Sequence, residues 1–196
     1  CHFEGGEDGQ VWIVPGGERQ TPQLAGRLDG TGPFNWLGTE NELDTNMDKT
    51  IERVGGNGLE SAELASLEQF ITHGLPRPVN PNVYDSGLTE AQERGRQLFN
   101  SAKAACSTCH SGPALTDGKF YDVGTTTKLE REVIMMTKEM GDLDWDAPET
   151  LMLNTPGLLD LFATAPYLHD GSASTLMEVL DRTATTMGHT ADLTVE

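Results

Sequence analysis

The sequence predicts an all-α protein of two lobes, each built from short helices joined by long loops. Apolar residues recur at helical spacing in three segments, and no segment alternates as a strand does. The 22 glycines and 10 prolines are typical of a chain rich in ordered loops. The motifs of the first half also return in the same order in the second half. A repeated module is the simplest explanation of that order.

Three segments carry helix-start signals. Ser61 can cap a helix whose apolar residues then recur every third or fourth position. Thr89 precedes Gln92 at capping-box spacing, and Thr175 stands at the same distance from Glu178. These signals predict one helix in the first half of the chain and two in the second.

A proline-rich stretch over residues 75–86 separates the two halves, because a residue before proline is pushed out of the helical region. We therefore predict a first lobe over 1–80 and a second over 81–196. The second half carries an extra acidic stretch at about 125–153. We interpret it as a partly helical surface insertion with methionines on its inner face.

The internal repeat joins short motifs that are found once in each half. The motifs come in the same order in both halves. The separation of Pro22 and Pro33 differs by a single residue from that of Pro156 and Pro166. The pairs are Cys1-His2 with Cys109-His110, Thr21-Pro22 with Thr155-Pro156, and Pro33-Phe34-Asn35-Trp36-Leu37-Gly38 with Pro166-Tyr167-Leu168-His169-Asp170-Gly171.

Charge and composition exclude several classes of protein. Thirteen Lys and Arg oppose 31 Asp and Glu, and the net charge of −18 excludes a nucleic-acid partner. No apolar run approaches the roughly 20 residues needed to span a membrane. Three cysteines leave one unpaired, so a disulfide framework is a poor interpretation. Aromatic residues, at 6%, are too few for two lobes unless a large cofactor fills their interiors.

The sequence Cys106-Ser107-Thr108-Cys109-His110 indicates covalent haem. Two thiols three residues apart can each bond one vinyl group of a porphyrin, and the adjacent histidine then points at the iron. A thioredoxin-like redox pair and half of a zinc site are the alternatives. The redox pair lacks a βαβ context, and zinc lacks further ligands at a suitable spacing.

Cys1-His2 matches the last two residues of a second such motif, whose first cysteine would lie upstream. Coincidence is the alternative. Two haem c groups would explain the low aromatic content, since each macrocycle is a large apolar element. Both ends of the chain are expected to be truncated.

The chain resembles the bacterial dihaem cytochrome c peroxidase family, including its MauG-type relatives. The resemblance extends over most of the chain, and the 125–153 stretch is least like the family. The matching segments are CHFEGG, RQTPQLAG, PFNWLG, RGRQLF, CSTCHSGPALTDG, NTPGLLDLFATAPYLHDGSASTL and TMGH. Each lobe is then expected to be a cytochrome c fold around one haem.

The resemblance implies a different role for each haem. The second haem, with His110 and Met187 as axial ligands, would be the electron-transfer centre, and His189 is the rival to Met187. The first haem, carried by His2, would keep one coordination position open for peroxide. Trp36 would lie between the haems as an electron path, with a packing role as its alternative.

Peroxide cleavage also needs a distal acid–base group and a polar donor. The family places a glutamine and a glutamate downstream of the tryptophan. Asn46 falls near the first position, and Glu52 or Arg53 falls at the second. Met47 could instead reach the first iron and close it, although packing is its alternative role.

Two further expectations follow from the resemblance. His169 is expected to be a buried imidazole that hydrogen-bonds the turn or a haem propionate. A calcium ion is expected between the lobes at Gln20, Thr164 and Pro166, with Gln20 standing where the family has asparagine.

The function that the resemblance implies is electron transfer from an external donor, a small cytochrome c or a cupredoxin, to hydrogen peroxide. One alternative is a dihaem electron carrier without peroxidase activity. Another is MauG-type oxidation of a partner protein, in which the second haem has a tyrosine ligand, unlike the TMG sequence here. Covalent haem implies export to the periplasm or cell exterior, and a homodimer is left open.

Overall fold

The structure is a computed structural model, and it describes residues 1–14, 17–83, 85–139, 152–191 and 193. Within these ranges the chain forms five α-helices, several single helical turns and two antiparallel two-stranded sheets. The bounds are β1 Val11–Val14, β2 Gly17–Gln20, α1 Leu43–Arg53, α2 Ser61–Gln69, α3 Glu90–Phe99, β3 Phe120–Tyr121, α4 Lys128–Glu139, β4 Leu153–Asn154 and α5 Leu176–Arg182.

The predicted all-α class with two lobes is wrong. Strands β1 and β2 form a hairpin, and β3 pairs with β4. No sequence pattern indicated these strands. Strand β1 is four apolar residues without alternation, and β3 and β4, with two residues each, are too short to show a period. The two halves also contact each other, for example through the ion pair between Arg77 and Asp160. The boundary between 1–80 and 81–196 stays a prediction.

The predicted helix starts are confirmed. The Thr89 hydroxyl accepts a hydrogen bond from the Gln92 amide at 3.2 Å, and the Thr175 hydroxyl accepts from the Glu178 amide at 3.1 Å. Helix α2 begins where predicted, but Glu60 caps it rather than its first residue. Helices α3 and α5 therefore start at caps that are readable in the sequence.

Helix α1 was not predicted, although its apolar residues stand at helical spacing. Leu43 and Met47 are buried, with Ile71 after α2 completing the cluster. Leu37, Ile134 of α4 and Leu153 of β4 form a second small cluster. Both clusters are small, and each joins segments far apart in the sequence.

The turns at the two repeated proline motifs have the same backbone geometry, which confirms the internal repeat. Each carries a cis proline, then a left-handed residue two positions later, then a left-handed glycine. Each also closes on one antiparallel bridge, with amide-to-carbonyl distances of 2.7 Å from Phe34 to Glu40 and from Tyr167 to Ala173. We call residues 1–41 and 109–174 the first and second copies.

An aspartate holds the start of the sheet in each copy. Asp8 accepts a hydrogen bond from the Trp12 indole at 3.0 Å, and Asp117 accepts one from the Tyr121 hydroxyl at 2.8 Å. Each carboxylate also accepts from the backbone amide two residues later, at 3.0 and 3.1 Å. The same polar contact therefore orients the first strand in both copies.

The copies differ between their strands. Residues 15–16 separate β1 from β2, whereas the long stretch between β3 and β4 contains α4. Residues 140–151 of the predicted 125–153 insertion, Met140 among them, lie outside the described residues. Met135 and Met136 on α4 are exposed, so the predicted methionine-lined inner face is wrong there. Ile134 is the apolar residue that α4 buries, at 1% exposure.

No helix within the described ranges is both long and apolar enough to cross a membrane.

Candidate functional site

The Cys-x-x-Cys-His motif folds as one tight turn. A 3₁₀ turn over Cys106–Thr108 follows left-handed Ala105, and the His110 amide donates to the Cys106 carbonyl at 3.0 Å. Cys106 and Cys109 are both half-buried free thiols. The turn therefore presents two unpaired thiols beside one histidine.

His110 is buried, and its ring has a defined orientation. Its Nδ1 lies 3.1 Å from the Leu115 carbonyl. Desolvation lowers the pKa of His110, and hydrogen bonds to the Leu115 and Pro156 carbonyls oppose this only in part. A neutral ring that donates from Nδ1 keeps the lone pair of Nε2 for a metal.

A cavity of about 560 Å³ lies beside His110. This volume falls within the roughly 300–1,000 Å³ that is typical of cofactor sites. The wall is largely apolar, and helix α3 contributes part of it. The lining residues are Arg96, Phe99, Asn100, Ser107, His110, Ser111, Gly112, Leu115, Leu158 and Leu161.

Met187 lies close to the cysteine turn but does not line that cavity. The His189 amide donates to the Ala104 carbonyl at 3.1 Å, which folds the TMGH loop back toward Cys106. Gly188 is required there, because a side chain would meet the Ala104 carbonyl oxygen at 2.5 Å. Met187 is half-buried and its rival His189 is exposed. The ligand role of Met187 stays a prediction.

His2 repeats the arrangement of His110. Its Nδ1 lies 3.0 Å from the Pro22 carbonyl, again leaving Nε2 without this partner. Partial desolvation lowers the pKa of His2, and its hydrogen bond to Pro22 opposes this. Cys1 is an exposed free cysteine beside it. The two histidines therefore hold equivalent positions in the two copies.

The two alternatives to haem at the second motif gain no support. Burial raises the pKa of the Cys106 thiol, whereas reactive redox cysteines have lowered values. In the part of the chain that is described, no group of three or more His, Cys, Asp or Glu side chains is placed to hold a metal ion. A zinc site is not formed by these residues.

Trp36 and His169 hold equivalent positions in the two turns, and their rings meet. The ring centroids are 6.2 Å apart in a T-shaped contact with an interplanar angle of 69°. The Trp36 indole donates to the backbone carbonyl of Gln20 at 3.4 Å, and the backbone amide of Gln20 donates to the His169 carbonyl at 2.8 Å. The half-buried tryptophan is thus held at the contact between the copies.

Two charged residues that the sequence did not indicate lie beside this ring pair. His169 is 1% exposed, and its Nε2 lies 2.9 and 3.0 Å from the two oxygens of Glu130. Arg19 donates to the same carboxylate at 2.5 Å. Burial disfavours the charged form of Glu130, but the hydrogen bonds and charges of His169 and Arg19 outweigh it and lower its pKa.

The predicted acid–base residues all lie on α1. Asn46 is half-buried, whereas Glu52 and Arg53 at the end of the helix are exposed. Asn46 and Arg53 share one face because seven residues span about two turns. Met47 packs in the apolar cluster with Leu43, as its alternative role required. The catalytic and ligand roles of these residues stay predictions.

The three predicted calcium residues lie together, and Glu7 joins them. The Gln20 side-chain nitrogen donates to the Thr164 carbonyl at 3.0 Å, to the Glu7 carboxylate at 2.6 Å and to the Pro166 carbonyl. The Gln20 side-chain NH₂ carries two protons, whereas three acceptor oxygens face it. Desolvation raises the pKa of Glu7, opposed by its hydrogen bond from Gln20.

The chain is similar in sequence to several known proteins over about half of its length. No family model matches. The chain is 29% identical to hydrazine synthase subunit gamma of Kuenenia stuttgartiensis over 50% of this chain and 35% of that protein. It is 34% identical to the methylamine utilization protein MauG of Methylophilus methylotrophus over 49% and 27%. It is 33% identical to cytochrome c peroxidase of Escherichia coli (strain K12) over 47% and 20%.

Solved structures show the same fold. The hydrazine synthase of Kuenenia stuttgartiensis matches 100% of this chain and 75% of that chain, with a TM-score of 0.77 and 23% identity. A MauG-like protein associated with microbial copper homeostasis matches 92% and 65%, with a TM-score of 0.63 and 25% identity. The matches cover between 20% and 35% of the length of the curated relatives.

Proposed function

We propose a function from the premise that this chain is related to the bacterial cytochrome c peroxidase and MauG family, as its sequence predicted and its relatives confirm. It is a haem oxidoreductase of that broad class, and it passes electrons from an external donor to hydrogen peroxide. The observation that carries the proposal is the Cys106–His110 turn beside its apolar cavity.

The residues around the second motif fit a covalently attached haem. Cys106 and Cys109 are free thiols that would form the two thioether bonds, and His110 would offer its Nε2 to the iron. Phe99 and Leu158 line the cavity and would supply apolar contacts to the ring. When bound, haem supplies an iron that exchanges electrons and, at an open position, reacts with peroxide. Met187 is the proposed second ligand at this electron-transfer centre.

A second haem is proposed at Cys1 and His2. The support is the matching hydrogen bond from the histidine Nδ1 to a backbone carbonyl in the two copies. Trp36 is the proposed electron path between the sites, because its indole is held at the contact between the copies. The thioether expected at Met187 argues against the MauG-type branch, which has a tyrosine there.

Proton handling is proposed for α1. Two electrons and two protons convert hydrogen peroxide to two water molecules, so a group must hold and move a proton near the first site. Asn46 would donate a hydrogen bond, and Glu52 or Arg53 would handle the proton. The exposure of Glu52 and Arg53 favours a second candidate, an electron carrier without peroxidase activity.

A calcium ion is proposed between the copies. Oxygen atoms of Glu7, Thr164 and Pro166 converge on the Gln20 side chain, and calcium prefers oxygen ligands. With its amide turned over, Gln20 would add its own oxygen to the set, since amide nitrogen and oxygen occupy nearly the same positions. Glu7 would supply the negative charge that the predicted set lacked.

The electron donor is proposed to be a small basic redox protein, a cytochrome c or a cupredoxin. The chain carries a net charge of −18, and such a surface steers a basic docking face. Binding should weaken as salt rises, since salt screens exposed charges. Haem attachment further implies export to the periplasm or cell exterior.

Absorption and electron paramagnetic resonance spectra of the holoprotein test the proposal. We expect two haems, one of them low-spin with histidine and methionine ligands. Peroxide added to the half-reduced protein should change the spectrum of the first haem and consume the stored electron. A first haem that stays low-spin and inert in every redox state would establish the electron-carrier candidate instead. A single haem would overturn the two-centre proposal.

A further inference from the structure

Trp36 makes hydrogen bonds to both copies through two different parts of the residue. Its indole donates to the backbone carbonyl of Gln20 in the first copy at 3.4 Å. Its own backbone carbonyl accepts from the backbone amide of Asn154 in the second copy at 3.0 Å. Gln20 and Asn154 hold equivalent positions, since each directly precedes a Thr-Pro motif. One residue therefore joins equivalent points of the two copies.

Each Thr-Pro motif leads on to one of the two histidines of the candidate haem sites. The Pro22 carbonyl lies 3.0 Å from Nδ1 of His2. The Pro156 carbonyl is likewise hydrogen-bonded to the His110 ring. Each contact of Trp36 therefore lies two residues away from a proline whose carbonyl holds a histidine ring.

The equivalent turn of the second copy makes no such double connection among the described residues. The backbone amide of Gln20 donates to the His169 carbonyl at 2.8 Å, which repeats the bond from Asn154 to Trp36. The His169 ring, however, is hydrogen-bonded to Glu130 on α4 and not to the residue before a Thr-Pro motif. The comparison of the two turns therefore singles out Trp36.

The backbone that connects Trp36 to the two prolines is buried in both copies. Electrons tunnel more readily along covalent and hydrogen bonds than across gaps between atoms, and close packing keeps the bonded atoms at fixed separations. The buried residues are Gln20 and Thr21 in the first copy and Asn154 and Thr155 in the second. The two segments therefore have the properties that an electron path requires.

We propose that the segments 20–22 and 154–156 are the connectors of the electron path, and that each passes electrons between Trp36 and the histidine of its own copy. One electron leaves the reduced second haem and is gained by the oxidised first haem, and no proton moves with it. The proposal rests on the proposed function, because it requires a haem iron at each histidine. It assigns the connection to backbone atoms, with Trp36 as the side chain between them.

An amide-to-ester change at residue 154 tests the second connector. The α-hydroxy analogue of asparagine removes the N–H that meets Trp36 and leaves every side chain in place. Electron transfer between the haems, followed after rapid partial reduction of the holoprotein, should slow several-fold. The same change at Ala173, whose buried amide donates to the Tyr167 carbonyl at 3.3 Å, is the matched control and should leave the wild-type rate.

A pair of tryptophan variants tests the first connector. Trp36→Phe removes the indole N–H that meets the Gln20 carbonyl, so it should slow the same electron transfer. Trp12→Phe removes an indole N–H that donates to Asp8 instead, so it should leave the rate unchanged. Reduction potentials of both haems, measured in every variant, separate a slower path from a changed driving force.

An unchanged rate in the residue-154 ester, with two haems present and unchanged potentials, would overturn the second connector. Equal slowing of both esters would also overturn it, because the loss of any buried backbone hydrogen bond would then suffice. Where that ester folds poorly, the tryptophan pair keeps the test decisive, since equal rates in the pair would overturn the first connector. A matured protein whose mass shows a single haem would overturn the two-centre function itself.

Discussion

The first and second copies share a backbone plan but differ at the positions where chemistry is expected. In each, a histidine Nδ1 meets a backbone carbonyl, an aspartate orients the first strand, and a cis-proline turn closes on one bridge. The turn places Trp36 in the first copy and His169 in the second. A duplicated scaffold thus brings two unlike rings into contact at equivalent positions.

A second pair of equivalent residues shows the same division. Gln20 and Asn154 each precede the Thr-Pro motif, and each donates a side-chain hydrogen bond to a cis-proline carbonyl of the other copy, Pro166 or Pro33. Among the residues that the structure describes, only Gln20 has a carboxylate beside it, from Glu7. The comparison therefore predicts one cation site rather than two, because only one of the equivalent places carries negative charge.

Removing the two thiols of the Cys106–His110 motif should give the largest effect. In Cys106→Ser with Cys109→Ser, neither thioether can form at that turn. The intact mass of the matured protein should fall by one haem, and the low-spin histidine–methionine spectrum should disappear. Ser107→Ala, which leaves both thiols in place, is the matched control. A variant that keeps both haems covalently bound would contradict the assignment of the second site.

Replacing the strand-holding aspartate should reduce stability in both copies. Asp117→Ala loses the hydrogen bonds from Tyr121 and the Lys119 amide, and hydrogen bonds to a charged group are worth about 2 kcal/mol. Asp8→Ala should lower the free energy of unfolding in the same direction. Denaturant unfolding of the holoprotein measures both. The equivalence of the two motifs fails if only one variant is destabilised.

The same aspartate gives the stability a dependence on pH. Desolvation works against ionisation of Asp117, but hydrogen bonds from Lys119, Tyr121 and Thr155 outweigh it and lower its pKa. Its contribution is complete above the ordinary aspartate value and is lost as pH falls through the lowered folded value. Asp117→Asn should therefore flatten the loss of stability in acid, and an unchanged acid slope would assign that loss elsewhere.

Calcium should stabilise the protein through the Gln20 site and not through the equivalent Asn154 site. Calcium should raise the unfolding temperature of the wild-type protein, since a ligand that binds only the folded state stabilises it. Glu7→Gln should remove most of that rise, because the site loses its charge. Asn154→Ala should lower the unfolding temperature with and without calcium alike. A full calcium response in Glu7→Gln would exclude the carboxylate as a ligand.

What the sequence could predict was local. The cysteine motif, each of the caps at Thr89 and Thr175 and each repeated turn span only a few residues, and over such short distances spacing fixes geometry. The strands escaped prediction because they are too short to show a period. Glu130 escaped because its partners lie far away in the chain, and no local pattern marks a contact of that range.

The smallest expected effect on stability concerns the starts of helices α1 and α5, which follow the two turns. Thr175 caps α5 with its hydroxyl, whereas Glu42 precedes α1 without a side-chain capping bond. Thr175→Ala should cost about 1 kcal/mol of unfolding free energy, and Glu42→Ser should add stability, because a serine oxygen can accept from the first turn. Ser172→Ala, whose change lies outside any helix start, serves as the control in the same denaturant titration. Equal and unchanged stabilities in both variants would show that tertiary contacts, rather than capping, hold these helices in place.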